Sequence, residues 1–166
     1  VGDTGTLSIG DKTWAVTDTQ KAGDAFLHFI KGDATPESGS QVEVMVDAVR
    51  RAAIQRHHTV THLFHWALHE VTSPDASQKG SYVGPEKLTF DFNSPALAPQ
   101  QVADIEQLVN ERIVDNAVVS WNGLPYSEVA GNDGILQFFG DKYGDTVRVV
   151  QIGGAAGALD GYSMEL

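Results

Sequence analysis

The sequence predicts an α+β fold with an all-β start. Three observations carry that reading. Apolar residues alternate with a period of two up to about residue 47, the period shifts to about 3.6 after Asp47, and Gly and Asp turn signals break the chain into short elements. With 166 residues, 42% of them apolar, the chain is long enough to bury a core, which argues against disorder. The change of period divides it into a β-rich stretch, residues 1–47, readable as a small β-barrel or sheet, and a mixed stretch, residues 48–166.

The first element is a hairpin. Leu7 and Ile9 alternate with polar neighbours, Gly10-Asp11 supplies the turn, and Trp14 and Val16 alternate on its far side. A loop follows from Gly32-Asp33-Ala34-Thr35-Pro36 to Gly39, and Val42, Val44 and Val46 then alternate with Gln41, Glu43 and Asp47. From roughly His57 to Val71 the spacing predicts a helix with Val60, Leu63, Phe64, Ala67 and Val71 on its core face. His58, His62, His65 and His69 fall on the other side, and Ser73-Pro74-Asp75 ends the helix.

Two strands, Gln78 to Val83 and Lys87 to Phe92, are joined through Gly84-Pro85. A second helix opens near Pro99, where proline suits the first turn. It carries Val102, Ile105, Leu108, Val109 and Ile113 on one face and ends near Asn116. Strands are predicted at Val118 to Trp121, Leu136 to Phe139, Val147 to Ile152 and Tyr162 to Leu166.

Charge and composition narrow the function classes. Eleven basic residues against 22 acidic give a net charge of −11, which argues against a self-sufficient nucleic-acid binder because phosphate contact comes mainly from Lys and Arg. The chain has no Cys, so it can build neither a disulfide nor a thiolate zinc site from its own residues. No apolar run reaches the length that spans a bilayer, and the start lacks a signal pattern, so a soluble intracellular protein is the default expectation. An opening Val and a stop at Met164-Glu165-Leu166 read like an excised fragment.

The chemistry centres on the histidine face. His58 and His62, four apart on a helix, point the same way and can reach one divalent metal. The same spacing also fits an exposed histidine-rich face with no ligand, and a zinc site needs a third and usually a fourth donor. His65 and His69 lie further along and are expected to face solvent or support the site. Gln78-Lys79-Gly80-Ser81 sets an amide, an ammonium and a hydroxyl around a permissive glycine, either as a polar substrate lining or as an ordinary turn into a strand. Arg50, Arg51 and Arg56 form the dense basic cluster, able to meet phosphate or to pair with nearby acids. No Ser/His/Asp spacing, phosphate loop or dinucleotide glycine pattern stands out.

These residues resemble the editing domain of alanyl-tRNA synthetase. His58-Thr59-Val60-Thr61-His62-Leu63-Phe64-His65 is similar to that family's HTATHLLH, Gln78 to Val83 to its QKGSLV, and Leu88 to Asn93 to its LRFDFSH, with Thr89 in place of Arg. Val1 to Gly5, Asp18-Thr19-Gln20-Lys21, Ile105-Glu106 with Val109-Asn110, Phe139 to Asp145 with Val147 to Val150, and Tyr162 to Leu166 resemble further motifs in the same order. The family's CGGTH would follow Leu166, so on this resemblance the chain is C-terminally truncated.

The resemblance implies a small β-barrel subdomain before a two-layer α/β editing core with a histidine-bearing helix. It implies zinc held by His58 and His62, in a site left incomplete because the Cys and His of CGGTH are absent. Gln78 carries over as the catalytic-pocket residue, with Thr59, Thr61 and Ser81 as candidate substrate-binding residues. The implied partners are the tRNA(Ala) acceptor end and mischarged serine or glycine, in the cytoplasm and with no membrane. ATP and magnesium belong, on the same resemblance, to a separate synthetase domain outside this chain. A pocket made for alanine cannot sterically reject glycine and discriminates poorly against an added hydroxyl, so a second, hydrolytic site is the remedy. Alternatives are a free-standing aminoacyl-tRNA deacylase, a threonyl-type editing domain, and a noncatalytic RNA- or protein-binding module.

Overall fold

A computed structural model describes residues 1–32, 34–137 and 143–166. The chain divides into two compact units, Val1–His58 with Tyr82–Thr89 and Thr59–Ser81 with Phe90–Leu166. In the first, β1 (Gly5–Ile9) and β2 (Lys12–Ala22) form the predicted antiparallel hairpin, with Ile9 paired to Lys12. Gly10 sits at φ 55°, the left-handed conformation that a two-residue hairpin turn requires.

The chain turns back as β3 (Ala25–Ile30), and β4 (Glu43–Val46) returns along the far side of β1, giving the order β3-β2-β1-β4. A Cβ at Gly5 would collide with the Met45 carbonyl, so glycine permits the close approach of β4. Leu7 and Val16 are buried, and a bulge between Val16 and Asp18 interrupts the β2–β3 register. The expected small barrel is, among the described residues, an open sheet with β3 and β4 as its edges. Four strands, the last of only four residues, fall short of the five or so of even compact barrels.

The histidine helix is longer than the apolar period predicts. α1 runs Ala48–Val71. Its start is set by a cap: Asp47 Oδ1 accepts the backbone N–H of Arg50 at 3.0 Å, satisfying a donor of the first turn.

In the second unit α1 buries Thr61, Leu63, His65, Ala67 and Leu68. Leu63, Ala67 and Leu68 pack in one core with Ala76, Ile105, Val109 and Ile152. β5 (Gln78–Val83) and β6 (Leu88–Phe92) form a two-stranded sheet, and Phe64 meets Phe90 edge-on at 5.2 Å between ring centres. α2 (Pro99–Val114) begins with Pro99 as predicted and buries Ile105 and Val109, while Val102 and Ile113 are half exposed.

The remaining strands make one antiparallel sheet, β7 (Val119–Pro125), β8 (Thr146–Ile152) and β9 (Ser163–Glu165), in the order β7-β8-β9. A short helix, α3 (Tyr126–Val129), follows β7. Of the strand predicted at Leu136 to Phe139, Leu136 forms a parallel bridge to Glu165, whereas Phe139, with Gly140, Asp141 and Lys142 of the same motif, lies outside the described residues, as does Asp33 of the early loop. Between β8 and β9, buried Gln151 donates to the carbonyls of Gly153 and Ala155 at 2.8 and 2.9 Å, tying down the glycine-rich connection that leads into β9. Among the described residues no helix is long and apolar enough to cross a membrane.

Candidate functional site

The polar centre of the second unit is built from one helix and one strand far apart in sequence. Glu165, the last residue of β9, is paired with Val150 of β8, and the flanking Leu136 segment is bonded to the backbone on either side of it, Leu136 N–H to Met164 O at 2.8 Å and Leu166 N–H to Leu136 O at 3.2 Å. This double-sided clamp fixes the carboxylate, whose side chain is only 4% exposed. His62 Nδ1 lies 2.9 Å from Glu165 Oε2 and His65 Nδ1 lies 3.1 Å from Oε1. Burial alone would push the Glu165 carboxyl up. Hydrogen bonds from His62 and His65, reinforced by their charge, outweigh that effect and bring its pKa down to about 2.

The histidine face is therefore not a solvent-facing stripe. His65 is 2% exposed, its ring 4.5 Å from that of His69 and 5.2 Å from Phe90. His69 Nε2 donates to the Ala76 carbonyl at 2.5 Å. Of the two roles expected of these rings, facing solvent fails for His65, which Glu165 and Phe90 cover from outside the helix, while His69 is partly buried against His65 and bonded to Ala76. Glu165 carries no local signal of this role, since its partners lie about a hundred residues away.

The other site candidates fall on the elements their sequence suggests. His58 is exposed and stands one turn before His62 on α1, Thr59 is partly buried, and Thr61 is 8% exposed. On β5, Gln78 Nε2 donates to Ser81 Oγ at 3.0 Å, bringing the amide and hydroxyl of that motif together. Gly80 has a purpose between them: a Cβ there would come within 3.1 Å of Asp91 Oδ2, so the bare backbone leaves room for the carboxylate of β6. Among the described residues no group of three or more His, Asp or Glu side chains is arranged to hold a metal ion.

The basic cluster is largely engaged in structure. Arg51 is ion-paired with Asp3, and Arg50 donates to the Gly2 carbonyl at 2.8 Å. Both contacts tie the start of α1 to the N-terminal segment rather than leaving an open arginine patch.

Fold and site define a two-unit α+β protein with an imidazole–carboxylate centre and a glutamine–serine strand motif. No family model matches the chain. It is 47% identical over 167 residues to the alanine-tRNA ligase of Akkermansia muciniphila, covering 99% of this chain and 18% of that protein. The ligases of Methylacidiphilum infernorum and Dichelobacter nodosus are 44% and 41% identical over 155 and 168 residues, 92% and 100% of this chain. The chain is homologous to alanine-tRNA ligases over its whole length. It spans 17 to 19% of the length of these relatives.

Proposed function

We propose that the chain is the editing segment of an alanine-tRNA ligase, hydrolysing seryl- and glycyl-tRNA(Ala) while sparing alanyl-tRNA(Ala). The observation that carries this reading is the end-to-end homology of a segment whose histidine helix and Gln78–Ser81 strand motif resemble those of the editing domain. The reaction adds water across the ester, releasing the amino acid and a tRNA with a free terminal hydroxyl. Gln78 and Ser81, held side by side, offer an amide and a hydroxyl able to hydrogen-bond a serine hydroxyl or the substrate ammonium. By resemblance Thr59 and Thr61 are candidate substrate-binding residues, and the tRNA(Ala) acceptor end is the macromolecular partner.

Zinc is tested by donor count. His58 and His62 supply two imidazoles, a zinc site takes three or four protein ligands, and the described residues contain no larger metal-binding group. These residues alone do not fit a complete zinc site, so no step is assigned to a metal. ATP and magnesium would serve ligation elsewhere in a full synthetase, in the cytoplasm.

The test replaces the matched segment of the Akkermansia muciniphila ligase with this chain and follows preformed seryl- and alanyl-tRNA(Ala). Seryl ester should be lost and alanyl ester retained. Replacing Gln78 with Trp should lower deacylation without comparable loss of aminoacylation. Equal loss of both activities, or no change in either, would remove Gln78 from the pocket.

A further inference from the structure

β7 turns its residues the opposite way from an ordinary half-buried strand. Ser120, Asn122 and Leu124 are partly buried, whereas Val119, Trp121, Gly123 and Pro125 face water. The two inward polar groups serve the fold, because Asn122 Nδ2 donates to the Gly157 carbonyl at 2.8 Å and Ser120 Oγ accepts the Gly157 N–H at 3.4 Å. Trp121 serves no such purpose. It is 64% exposed, next to a half-exposed Val119 on the same face of an edge strand, and continuous apolar surface left in water marks a binding face.

Arg148 gives that surface a charge. It pairs with Gly123 across the β7–β8 ladder, which sets its side chain diagonal to Trp121, and its guanidinium carbon lies over the indole, 5.8 Å from the ring centre. Among the described residues no ion pair engages Arg148, whereas Arg51 and Arg112 each bind an aspartate. A Cβ at Gly123 would meet nothing within 4 Å, so packing does not demand glycine there, and its absence of a side chain leaves the surface beside the indole flat.

The sheet register places this pair near the candidate site. Trp121 is the partner of Val150 and Val150 of Glu165, so the three side chains share one face. Two inter-strand spacings put Trp121 about 10 Å from Glu165, a span that a few stacked nucleotides of an unpaired strand cover. We propose that Trp121 and Arg148 form a platform for an unpaired nucleotide, the indole stacking on the base and the guanidinium taking its phosphate. An aromatic face accepts any base, and a neighbouring cation holds the backbone. An acidic peptide would satisfy Arg148 but leave the indole and the flat surface at Gly123 without a planar partner. That the nucleotide belongs to the 3′ end of tRNA(Ala) rests on the editing reading above, whereas the platform rests on the sheet geometry.

The probe is the single-stranded ribonucleotide ACCA, titrated into the 15N-labelled 166-residue chain while the indole N–H signals of its three tryptophans are followed. Trp121 should shift saturably, with Trp14 and Trp66 unmoved as internal controls. Anisotropy of fluorescently labelled ACCA then gives affinities. Trp121→Ala should weaken binding roughly 5- to 100-fold, the usual loss of one stacked base, and Trp121→Phe, which keeps a ring, should retain most of it. Arg148→Gln should weaken binding and flatten the slope of log affinity against log salt by about 0.7, the share of one phosphate on a single strand. Both positions are exposed, so neither truncation opens a cavity. An unmoved Trp121 signal, an equal response to a blunt RNA duplex, or a signal that shifts with protein concentration but not with RNA, the mark of a protein-binding face, would overturn the proposal. In the segment-replaced ligase Trp121→Ala should raise KM for seryl-tRNA(Ala) hydrolysis by a similar factor, with kcat little changed. ACCA bound at Trp121 without any deacylation by the ligase would refute the editing reading alone. Deacylation with a KM indifferent to Trp121→Ala would refute the platform's role at the acceptor end alone.

Discussion

Glu165 shows how one buried acid can be made to stabilise a fold. Its burial is unfavourable, and two imidazole hydrogen bonds reverse the balance to leave its pKa at about 2. An unfolded glutamate titrates near 4.3. A folded pKa below the unfolded one contributes stability that is complete above the unfolded value and is lost as pH falls toward the folded value. Ionised Glu165, held by the two imidazoles, therefore stabilises the fold at neutral pH. Urea denaturation of the metal-free chain and of Glu165→Gln should therefore give curves well separated at pH 5 that converge as the pH is lowered to 2. A separation that stays constant across that range would show that ionised Glu165 contributes nothing.

At the scale of elements, what was legible in the sequence was what lies close together in it. The β1–β2 hairpin follows from alternation around Gly10-Asp11, and the start of α2 follows from Pro99. The first turns of α1 escape a period-based reading because Ala48 to Arg56 holds no continuous apolar stripe, and the helix there is started by the Asp47 cap. The candidate site was half legible. Gln78 and Ser81 are three residues apart and their pairing is local, whereas the burial of His65 depends on a strand about a hundred residues away.

Core faces show the same limit. Leu68 is absent from the single stripe of α1 read from the period, yet it is fully buried, because the helix is covered on more than one side. Val102 and Ile113 belong to the stripe of α2 and remain about half exposed. Truncation should invert the sequence-based ranking: Leu68→Ala should cost about 2–5 kcal/mol by cavity formation, and Val102→Ala less than about 1 kcal/mol for a side chain that is already half in water. Chemical denaturation of the two variants checks this, and equal losses would mean that the burial of Leu68 is wrong.

For the whole molecule, charge decides what the chain can do by itself. Its 22 acidic residues outnumber its 11 basic ones, and within the Arg50, Arg51 and Arg56 cluster two guanidinium groups already bind Asp3 and the Gly2 carbonyl. Each phosphate contact made by a cation contributes about −0.9 to the slope of log affinity against log salt on a duplex. With one cluster of three arginines, two of them engaged, the chain should bind an acceptor-stem duplex of tRNA(Ala) weakly, with a slope no steeper than about −3. Affinity for the intact tRNA would then come chiefly from the rest of a ligase about five times as long, as the 18% coverage of the Akkermansia muciniphila protein implies. Fluorescence anisotropy with a labelled acceptor stem between 50 and 200 mM salt, run on this chain and on the segment-replaced ligase, separates the two cases. Weak binding that becomes tight only in the ligase supports this division of labour. Submicromolar binding by the chain alone with a steep slope would place a basic surface here that its acidic composition does not suggest.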